Sequence, residues 1–598
     1  MSLIVWLPLN GDLENQGLSN ITITNNGATV DNNGKIGKCY RFGNGSASNN
    51  GINLNDNFVS IGSECSISVW VNPSGNHYHY NGTIISSGDW NHICWSFGLS
   101  QDNSQVDLLS SGYNSYVNCP VPLNTWTHLV CTRKNGVTTL YKNGIQIAAS
   151  SSFGDLASDA SNTYIGRETY ANGYFTFNGK LNDVRIYDHC LSAKEIKELA
   201  KGLVLHYRLA GPGGENLGNT SATYENQEHG KTINAEGWGG DTGTVTYYHY
   251  GGYRGLPYKV LHKTSTGGGG IYKKTANDIS LEANTQYTMS VWVKSSRNFT
   301  DYHYSFNINR GSDNFYITSG KNIEFTTEWT QLITTFTTDS TGSGSYGEMS
   351  IIYEDSVSDY YIYFSGFKIE KGPIATPWCP PKNSKLYSIL GYNNNVEYDC
   401  SGYRRNGTKS GTITWDIDSP RYTTSYKFGS NTSKIKLPAF NMSGFANSYT
   451  FSWWQYNIGS NNMPWGFSDG NRLNPYHTGN LCWNTGDGGS NPFVPNIISS
   501  TLYNTWHHIV ITGNGTDTKL YIDGEYKGKA TTYKGLTGTQ IYLSGWDTGT
   551  GYTMTGSREA DFRIYATALS AEDIAELYHS AVIVDNTGKN YAYEYFEA

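Results

Sequence analysis

The sequence contains no apolar run that approaches the ~20 residues a membrane-spanning helix needs, so membrane insertion is not expected. Charged residues make up only 15% of the 598 positions, and the net charge of −8 is spread without long runs. Because a basic track for a phosphate backbone is missing, nucleic acid is not an expected partner. These absences leave a globular chain whose partners must be sought elsewhere.

The cysteines are few, and their pattern excludes most of their special uses. There are nine, an odd number, and no two are arranged as C-x-x-C, which argues against a disulfide framework or a zinc site. Cys65 and Cys131 fall inside strand patterns, and we predict free, buried thiols. The opening residues 1–8 lack the basic start and the length of a secretory signal. We therefore expect synthesis in a host cytoplasm without a signal peptide.

The residues that are abundant suit strands and turns. The chain has 68 glycines, 47 tyrosines and 16 tryptophans, with 14% aromatic residues in all. Aromatic and β-branched residues favour pleated sheets, and Gly, Asn, Asp and Ser favour the turns between strands. At roughly 150 residues per domain, the length indicates three to five domains. The predicted fold class is all-β, with β-sandwich (jelly-roll) domains.

One stretch occurs twice and provides a register for the whole chain. Residues 124–144 and 504–524 both read as a strand that contains N-T-W-x-H-[LI]-V, followed by a second strand and a tight turn of Asn-Gly or Asp-Gly. Each copy is followed by a strand around Arg185 or Arg563. A near-constant spacing over most of a domain indicates a duplication.

A short helix closes each copy. Ser192 is the predicted N-cap, and Glu195 three residues later completes a capping box; Ser570 and Asp573 repeat the pattern. The strand motif, the L-Y-x-[ND]-G hairpin and the R-I-Y-x-x-x-L-S-x-x-[ED]-I-x-x-L ending resemble the laminin-G-like, concanavalin-A-like lectin family. The resemblance covers about two thirds of the chain and implies two lectin-like sandwiches that hold glycan-binding loops.

The second lectin-like unit is predicted to be split. The sequence that best matches an opening strand lies at residues 202–211, far upstream of the rest of the unit. We predict a first unit at residues 1–201, a second at 202–212 plus 383–580, and an insertion at 213–382. Insertions succeed where chain ends lie close together on a surface. Three domains in series is the alternative.

The inserted region resembles carbohydrate-binding-module jelly rolls, as found in phage tail proteins and glycoside-degrading enzymes. The E-K-G-x-x-A-T-P-W ending at residues 370–378 is its most distinctive part. Residues 581–598 form an alternating, aromatic tail that is similar to tails on phage structural proteins. This resemblance implies docking to another virion component, and a homo-oligomer is expected.

Aromatic residues in predicted loops are the candidates for carbohydrate binding, because sugars offer flat C–H faces to rings and hydroxyls to polar neighbours. For any single ring, packing in a core is the alternative. The candidates are Tyr78, Tyr80, Trp90 and Trp95 in the first unit; Trp238, Tyr247, Tyr248, Tyr250, Tyr253, Tyr302 and Tyr304 in the insertion; and Trp465, Tyr476 and Trp483 in the second unit.

Catalytic and metal-binding patterns are largely missing. No H-E-x-x-H, P-loop lysine or E-x-D-x-E strand is present. No cofactor is predicted; Ca²⁺ is compatible with the loop acids Asp12, Asp155, Asp183, Asp399 and Asp561, without a defined site. The favoured function is a non-enzymatic adhesin on a virion surface (tail, baseplate or head fibre) that binds cell-surface or mucin glycans. A structural virion decoration and a glycan-degrading enzyme are the alternatives.

Overall fold

The computed structural model is almost entirely β-structure. It describes residues 3–17, 19, 21–46, 48–55, 64–78, 81–89, 92–110, 116–151, 162–169, 174–209, 232–236, 242–248, 258–264, 267–301, 305–310, 315–316, 323–338, 340, 344–355, 357–372, 395–397, 399–416, 419–420, 424–486 and 491–579. Part of the insertion is described only by its backbone.

The first unit is a sandwich of two antiparallel sheets and one helix. Its elements are β1 (Leu3–Leu7), β2 (Thr24–Asn26), β3 (Thr29–Asp31), β4 (Cys39–Phe42), β5 (Gly51–Asn53), β6 (Cys65–Pro73), β7 (Gly82–Asp89), β8 (His92–Leu99), β9 (Gln105–Ser110), β10 (Tyr116–Asn118), β11 (Thr127–Lys134), β12 (Val137–Lys142), β13 (Ile145–Ser150), β14 (Thr163–Ile165), β15 (Gly179–Tyr187) and α1 (Ala193–Ala200). The larger sheet runs β13-β12-β11-β6-β15-β4-β3, with β1 beside β15, and the facing sheet runs β10-β9-β8-β7-β14-β5-β2.

The insertion contributes a six-stranded and a four-stranded sheet. Its strands are β17 (Thr232–Glu236), β18 (Thr242–Tyr248), β19 (Tyr258–Lys263), β20 (Gly267–Leu281), β21 (Gln286–Ser295), β22 (Phe299–Asp301), β23 (Ser305–Arg310), β24 (Phe315–Tyr316), β25 (Ile323–Phe325), β26 (Thr330–Thr337), β27 (Gly344–Asp355) and β28 (Tyr360–Lys371). They run β17-β18-β19-β28-β21-β26 and β20-β27-β23-β24, with β22 and β25 as a separate pair.

The second lectin-like unit repeats the architecture of the first. Its elements are β16 (Leu203–Tyr207), β29 (Val396–Glu397), β30 (Gly407–Ser410), β31 (Ile413–Asp416), β32 (Ser425–Phe428), β33 (Lys434–Lys436), β34 (Tyr449–Tyr456), β35 (Trp465–Phe467), β36 (Asn474–His477), β37 (Leu481–Asn484), β38 (Phe493–Val494), β39 (Trp506–Gly513), β40 (Thr518–Ile522), β41 (Glu525–Ala530), β42 (Ile541–Leu543), β43 (Arg558–Tyr565) and α2 (Ala571–His579). Single 3₁₀ turns occur at Ser443–Phe445 and Ser499–Leu502.

The larger sheet of the second unit receives a strand from far upstream. It runs β31-β32-β43-β34-β39-β40-β41-β38, and β16 pairs with β43. His206 lies opposite Arg563 in that pairing, just as Trp6 lies opposite Arg185 where β1 pairs with β15. This is the pairing that a split second unit requires, because β16 precedes the insertion and β43 follows it. The domain boundaries themselves stay a prediction.

Strand alternation decides which residues enter the cores. Leu129 and Cys131 on β11 belong to the interior cluster of the first sandwich, and Val130 on the opposite face joins a different cluster. Neighbouring residues of β11 therefore enter different cores. The predicted thiols are also free in the described residues, where Cys39, Cys65, Cys119, Cys131, Cys190, Cys400 and Cys482 make no disulfide.

Both closing helices begin as predicted. The hydroxyl of Ser192 accepts a hydrogen bond from the backbone N–H of Glu195, whose carboxylate accepts one from Ser192 in return. Ser570 and Asp573 make the same reciprocal pair. A capping box satisfies N–H groups that the first helical turn leaves unpaired.

The two lectin-like units share a closely packed joint. The Trp6 ring of the first unit meets Tyr403 of the second edge-on, with ring centroids 5.7 Å apart. Lys35 extends into the second unit and donates a hydrogen bond to the carbonyl of Ala566 at 2.5 Å. Burial lowers the pKa of Lys35 to about 7. One hydrophobic cluster contains residues of both units, so we infer that the units move as one body.

The described helices are short. Within the described residues, none is both long enough and apolar enough to cross a membrane.

Candidate carbohydrate-binding site

Three of the predicted aromatic candidates are core residues. Trp95, Trp465 and Trp483 have no exposed surface, and the Trp465 ring lies 4.2 Å from the ring of Phe451, centroid to centroid. The prediction that these three side chains bind sugar is wrong, because they lie on the inward faces of β8, β35 and β37 and not in open loops.

The remaining candidates divide into two described side chains and nine that are not. Tyr78 and Tyr476 are described and partly exposed. Tyr247 and Tyr248 lie on β18, where only the backbone is described. The predictions that lie outside the described residues are Tyr80, Trp90, Trp238, Tyr250, Tyr253, Tyr302 and Tyr304.

Tyr78 belongs to a stacked pair at one end of the first unit. Its ring lies 6.1 Å from the ring of Tyr174, centroid to centroid, with 24° between the planes. Tyr78 is 41% exposed and Tyr174 is 40% exposed, so the pair offers an apolar surface to solvent. Beneath it, the buried His77 ring packs on Phe177 and accepts a hydrogen bond from the backbone N–H of Asn178 at 3.0 Å.

Tyr476 belongs to a second pair at the corresponding end of the second unit. Its ring meets that of Tyr552 edge-on, with centroids 5.5 Å apart. The Tyr476 hydroxyl donates a hydrogen bond to the side-chain oxygen of Asn461 at 3.0 Å. Tyr552 is 46% exposed. A ring with amide groups beside it is the combination that suits a sugar face and its hydroxyl rim.

One tyrosine of each pair occupies the same position in the duplicated fold. Tyr174 and Tyr552 each lie eleven positions before the arginine of the closing strand, Arg185 or Arg563. Sequence reasoning missed both tyrosines because each lies in a Gly- and Thr-containing loop without strand alternation. The signal that would have found them is the spacing shared by the two copies.

The loop that carries Tyr552 also carries a cation–π contact. The guanidinium of Arg472 lies 5.1 Å from the centroid of the Trp546 ring. The Cβ atoms of Trp546 and of Asn474, at the start of β36, both lie within 3 Å of the place that a Cβ on Gly466 would take. Trp546 and Tyr552 therefore both lie beside β36, which bears Tyr476 itself.

Several acids that suit calcium have another role. Asp183 accepts hydrogen bonds from the Trp6 indole at 2.7 Å and from Arg185 at 3.1 Å. Asp561 accepts them from Arg563 at 2.8 Å and pairs with His206. Asp399 accepts backbone N–H groups at a turn, among them that of Ser401.

These three acids are thus bonded within the framework, and the suggestion that they hold Ca²⁺ is not supported. Asp12 accepts a local N–H bond, and Asp155 lies outside the described residues. No cluster of three His, Cys, Asp or Glu side chains that could hold a metal occurs in the described part of the chain.

The histidines of the strand motif are also framework residues. His128 and His508 are buried, and each lies 2.9 Å through Nε2 from a serine hydroxyl, Ser68 or Ser452. Burial lowers the pKa of His128 to about 3. It lowers the pKa of His477 to about 3 and of His77 to about 4.

We therefore expect stability to fall as the pH drops below about 6.5, the unfolded-state pKa of histidine. The unfolded chain then binds protons that the buried rings do not bind. This lowers the free energy of unfolding by about 1.4 kcal/mol per pH unit for each ring. Glu397 and Glu559, whose pKa values are raised by burial, oppose this change but are outnumbered by the histidines. The His477→Gln variant should show a flatter loss between pH 6.5 and 4.5 in urea unfolding; an unchanged slope would contradict the assignment.

Comparison with known families matches both lectin-like units. The model of the concanavalin A-like lectin/glucanases superfamily matches residues 44–197 and 428–575, which together make up half of the chain. The chain belongs to this superfamily. A curated relative, adhesion G-protein coupled receptor V1 of Danio rerio, is 28% identical over 146 residues, which is 22% of this chain but 2% of that protein. The chain thus spans a very small part of the relative's length.

Two solved structures are similar to parts of the chain. Domain 4 of AbnA, a GH43 arabinanase from Geobacillus stearothermophilus solved with arabinotriose, is 28% identical and covers 33% of this chain and 98% of its own, with a TM-score of 0.28. The binding domain of botulinum neurotoxin serotype D is 14% identical, covers 61% of this chain and 97% of its own, and has a TM-score of 0.26.

Because the superfamily joins lectins and glucanases, the positions of the buried acids bear on the function. Glu559 lies on β43, two positions before Asp561, and neither of its oxygens has a hydrogen-bond partner. Burial raises the pKa of Glu559 well above its ordinary value. The equivalent residue of the first unit, two positions before Asp183, is Leu181, a fully buried core side chain.

The neighbours of Glu559 are also more polar than their counterparts. Glu559 lies opposite Gln455 on β34, whereas Leu181 lies opposite Val71 on β6. The Gln455 amide donates to Nε2 of the buried His477 at 2.9 Å. The second sandwich therefore has a polar interior row where the first has an apolar one, and Glu559 is buried within it.

Proposed function

We propose that the protein is a non-enzymatic adhesin that binds glycans through the paired tyrosines of its two lectin-like units. The observation that carries the proposal is the recurrence of an exposed tyrosine, Tyr174 or Tyr552, at one position of the duplicated fold. Each has a second ring beside it. Core residues recur in duplicated folds because they pack in the interior. Tyr174 and Tyr552 are 40% and 46% exposed, so interior packing does not account for their recurrence.

Two sites on one rigid body favour multivalent ligands. A single shallow site binds a sugar weakly, and a second site on the same molecule acts at a high effective concentration. Cell-surface and mucin glycans present many copies of a sugar on one surface, so they are the proposed ligands. Neither unit needs a metal or a cofactor for stacking of this kind.

The double variant Tyr174→Ala/Tyr552→Ala tests this function. We expect an apparent affinity at least 10-fold lower on a glycan array, because each truncation removes one stacking face, and a smaller loss for either single variant. Tyr526→Ala is the matched control, since Tyr526 is an exposed tyrosine on β41, 53% exposed, away from both pairs. Retained binding by the double variant, or equal loss in the control, would refute the assignment.

A glycan-degrading enzyme is the second candidate, and one pair of acids favours it. Burial raises the pKa of Tyr116, and the carboxylates of Asp107 and Glu168 raise it further. Asp107 lies opposite Tyr116 where β10 pairs with β9, and Asp107 and Glu168 are both buried. Glycosidases use two carboxylates, about 5–10 Å apart. Reducing-sugar release that is abolished in Asp107→Asn and in Glu168→Gln would establish the enzyme and displace the adhesin.

We propose a virion surface, such as a tail, baseplate or head fibre, as the place where the adhesin works. The support is the resemblance of the insertion to modules in phage tail proteins. Electron microscopy of the source particle with antibody-labelled protein tests the location. A label that is absent from every particle would refute it.

A further inference from the structure

The outermost strand of the first unit is an apolar sheet edge. β13 is the last strand of its sheet, and no described strand pairs with its outer side. Ile145 is 69% exposed and Ile147 is 41% exposed. Edge strands present unpaired N–H and C=O groups, and soluble proteins usually protect them with charge or cover them.

The second unit shows what a protected edge looks like in this fold. Its β41 has the same bulge against β40 that β13 has against β12, which makes Glu525, Lys527 and Lys529 the counterparts of Ile145, Ile147 and Ala149. Lys527 pairs with Glu525 at 2.6 Å. Beyond them, β38 pairs with the outer side of β41.

The duplication therefore provides an internal comparison for this edge. Two strands with one geometry carry charges and a covering strand in one unit, and isoleucines without a described covering strand in the other. An exposed, flat, apolar edge recruits an added strand, since main-chain hydrogen bonds supply affinity and alternate side chains supply specificity.

The chain contains a segment that fits this role. Residues 590–597 read Asn-Tyr-Ala-Tyr-Glu-Tyr-Phe-Glu, so every second residue from 591 to 595 is tyrosine. Strict alternation with aromatic residues is typical of a strand that is buried on one face. At eight residues, the segment is long enough to cover the six residues of β13.

The segment can also reach the edge from where the described chain ends. α2 ends at His579, and its Asp573 pairs with Lys197 of α1 at 2.7 Å. α1 in turn packs on the hairpin that leads into β13, where Ala200 lies beside Gly144. Packed helices lie about 8–10 Å apart, and the ten residues 580–589 can extend over about 33–36 Å.

We propose that residues 590–597 of the same chain pair with the outer side of β13 as an added strand. The proposal is independent of glycan binding, because neither tyrosine pair lies on this edge. It assigns the aromatic tail an intramolecular partner, in place of the virion component predicted from its sequence.

Amide hydrogen exchange on the full chain and on a chain truncated after residue 580 tests the pairing. We expect amides of residues 145–149 to exchange at least 10-fold faster in the truncated chain, and a synthetic peptide of residues 588–598 to restore their protection. The amides of Lys529 and Ala530, which already pair with β38, are the internal control.

The Ile147→Lys variant, which copies Lys527, is the second arm. It should lose protection at residues 145–149 in the full chain, because lysine removes the apolar contact that Ile147 would offer to the tyrosines of residues 590–597, while its circular dichroism stays that of the wild type. Protection that survives truncation, or that rises with protein concentration in the truncated chain, would overturn the proposal and indicate a second copy at this edge. Rapid exchange at β13 in the full chain would overturn it as well.

Discussion

Replacing Glu559 with leucine is expected to raise the free energy of unfolding at pH 7 by about 2 kcal/mol or more. The carboxyl is buried without a hydrogen-bond partner, so no bond is lost with it. Leu181 already occupies the equivalent position in the first unit, which shows that the fold accepts leucine there. Urea unfolding of the two chains at the same pH measures the difference.

The gain from Glu559→Leu should depend on pH in a defined direction. Below about pH 4.5 the carboxyl is protonated in both states, and its charge contributes nothing. As the pH rises, the unfolded chain ionises while the buried group keeps its proton, because burial raises its pKa. As the pH rises from 4.5 to 7, the free energy of unfolding of the wild type therefore falls relative to that of the leucine variant.

Two further variants separate the effect of the charge from the effect of the unpaired polar group. Glu559→Gln removes the charge but keeps an unpaired polar group. It should abolish the pH dependence that this carboxyl causes, with a smaller gain in the free energy of unfolding than Glu559→Leu. Leu181→Glu places the same acid in the apolar row of the first unit and should destabilise it. A Glu559→Leu protein that is less stable than the wild type would show that this carboxyl binds a group, such as an ordered ion or water, that leucine cannot hold.

Structural features that depend on neighbouring residues could be predicted from the sequence alone. The hairpin around Trp126, the capping box at Ser192 and the family are all confirmed, because alternation, turn residues and caps act over a few positions. The upstream strand β16 was found because its sequence repeats that of β1. In each case the deciding forces are local, or are copied in the other unit.

The candidate site was readable only in part, because it depends on contacts across the fold. Tyr78 and Tyr174 are nearly a hundred positions apart and meet only when the loops of two sheets converge. Trp465 and Trp483 lie in Gly- and Asn-rich sequence that reads as loop, yet each belongs to a short strand whose inward face is core. A three- or four-residue strand shows too little alternation to reveal its face.

Replacing Gly402 with alanine is expected to loosen the joint between the units and cost about 3 kcal/mol or more. Its φ of +85° is a conformation that costs an L-residue about 1–2 kcal/mol, and an added Cβ would lie 2.0 Å from the Trp6 ring. Forcing that ring aside adds an overpacking cost of about 1–3 kcal/mol. Because Trp6 also packs on Tyr403, the shift should split one calorimetric unfolding transition into two.

Gly136→Ala is the matched control for the joint. Gly136 has a φ of +77°, and nothing lies within 4 Å of its added Cβ, so this variant carries the backbone strain without the clash and should cost only about 1–2 kcal/mol. Equal losses of unfolding free energy in the two variants would mean that the Trp6 ring moves aside without cost and that the joint is not rigid.

If the joint is rigid, the spacing of the two tyrosine pairs is fixed. Gly402→Ala should then weaken binding to a multivalent glycan surface and leave the affinity for a single free oligosaccharide unchanged.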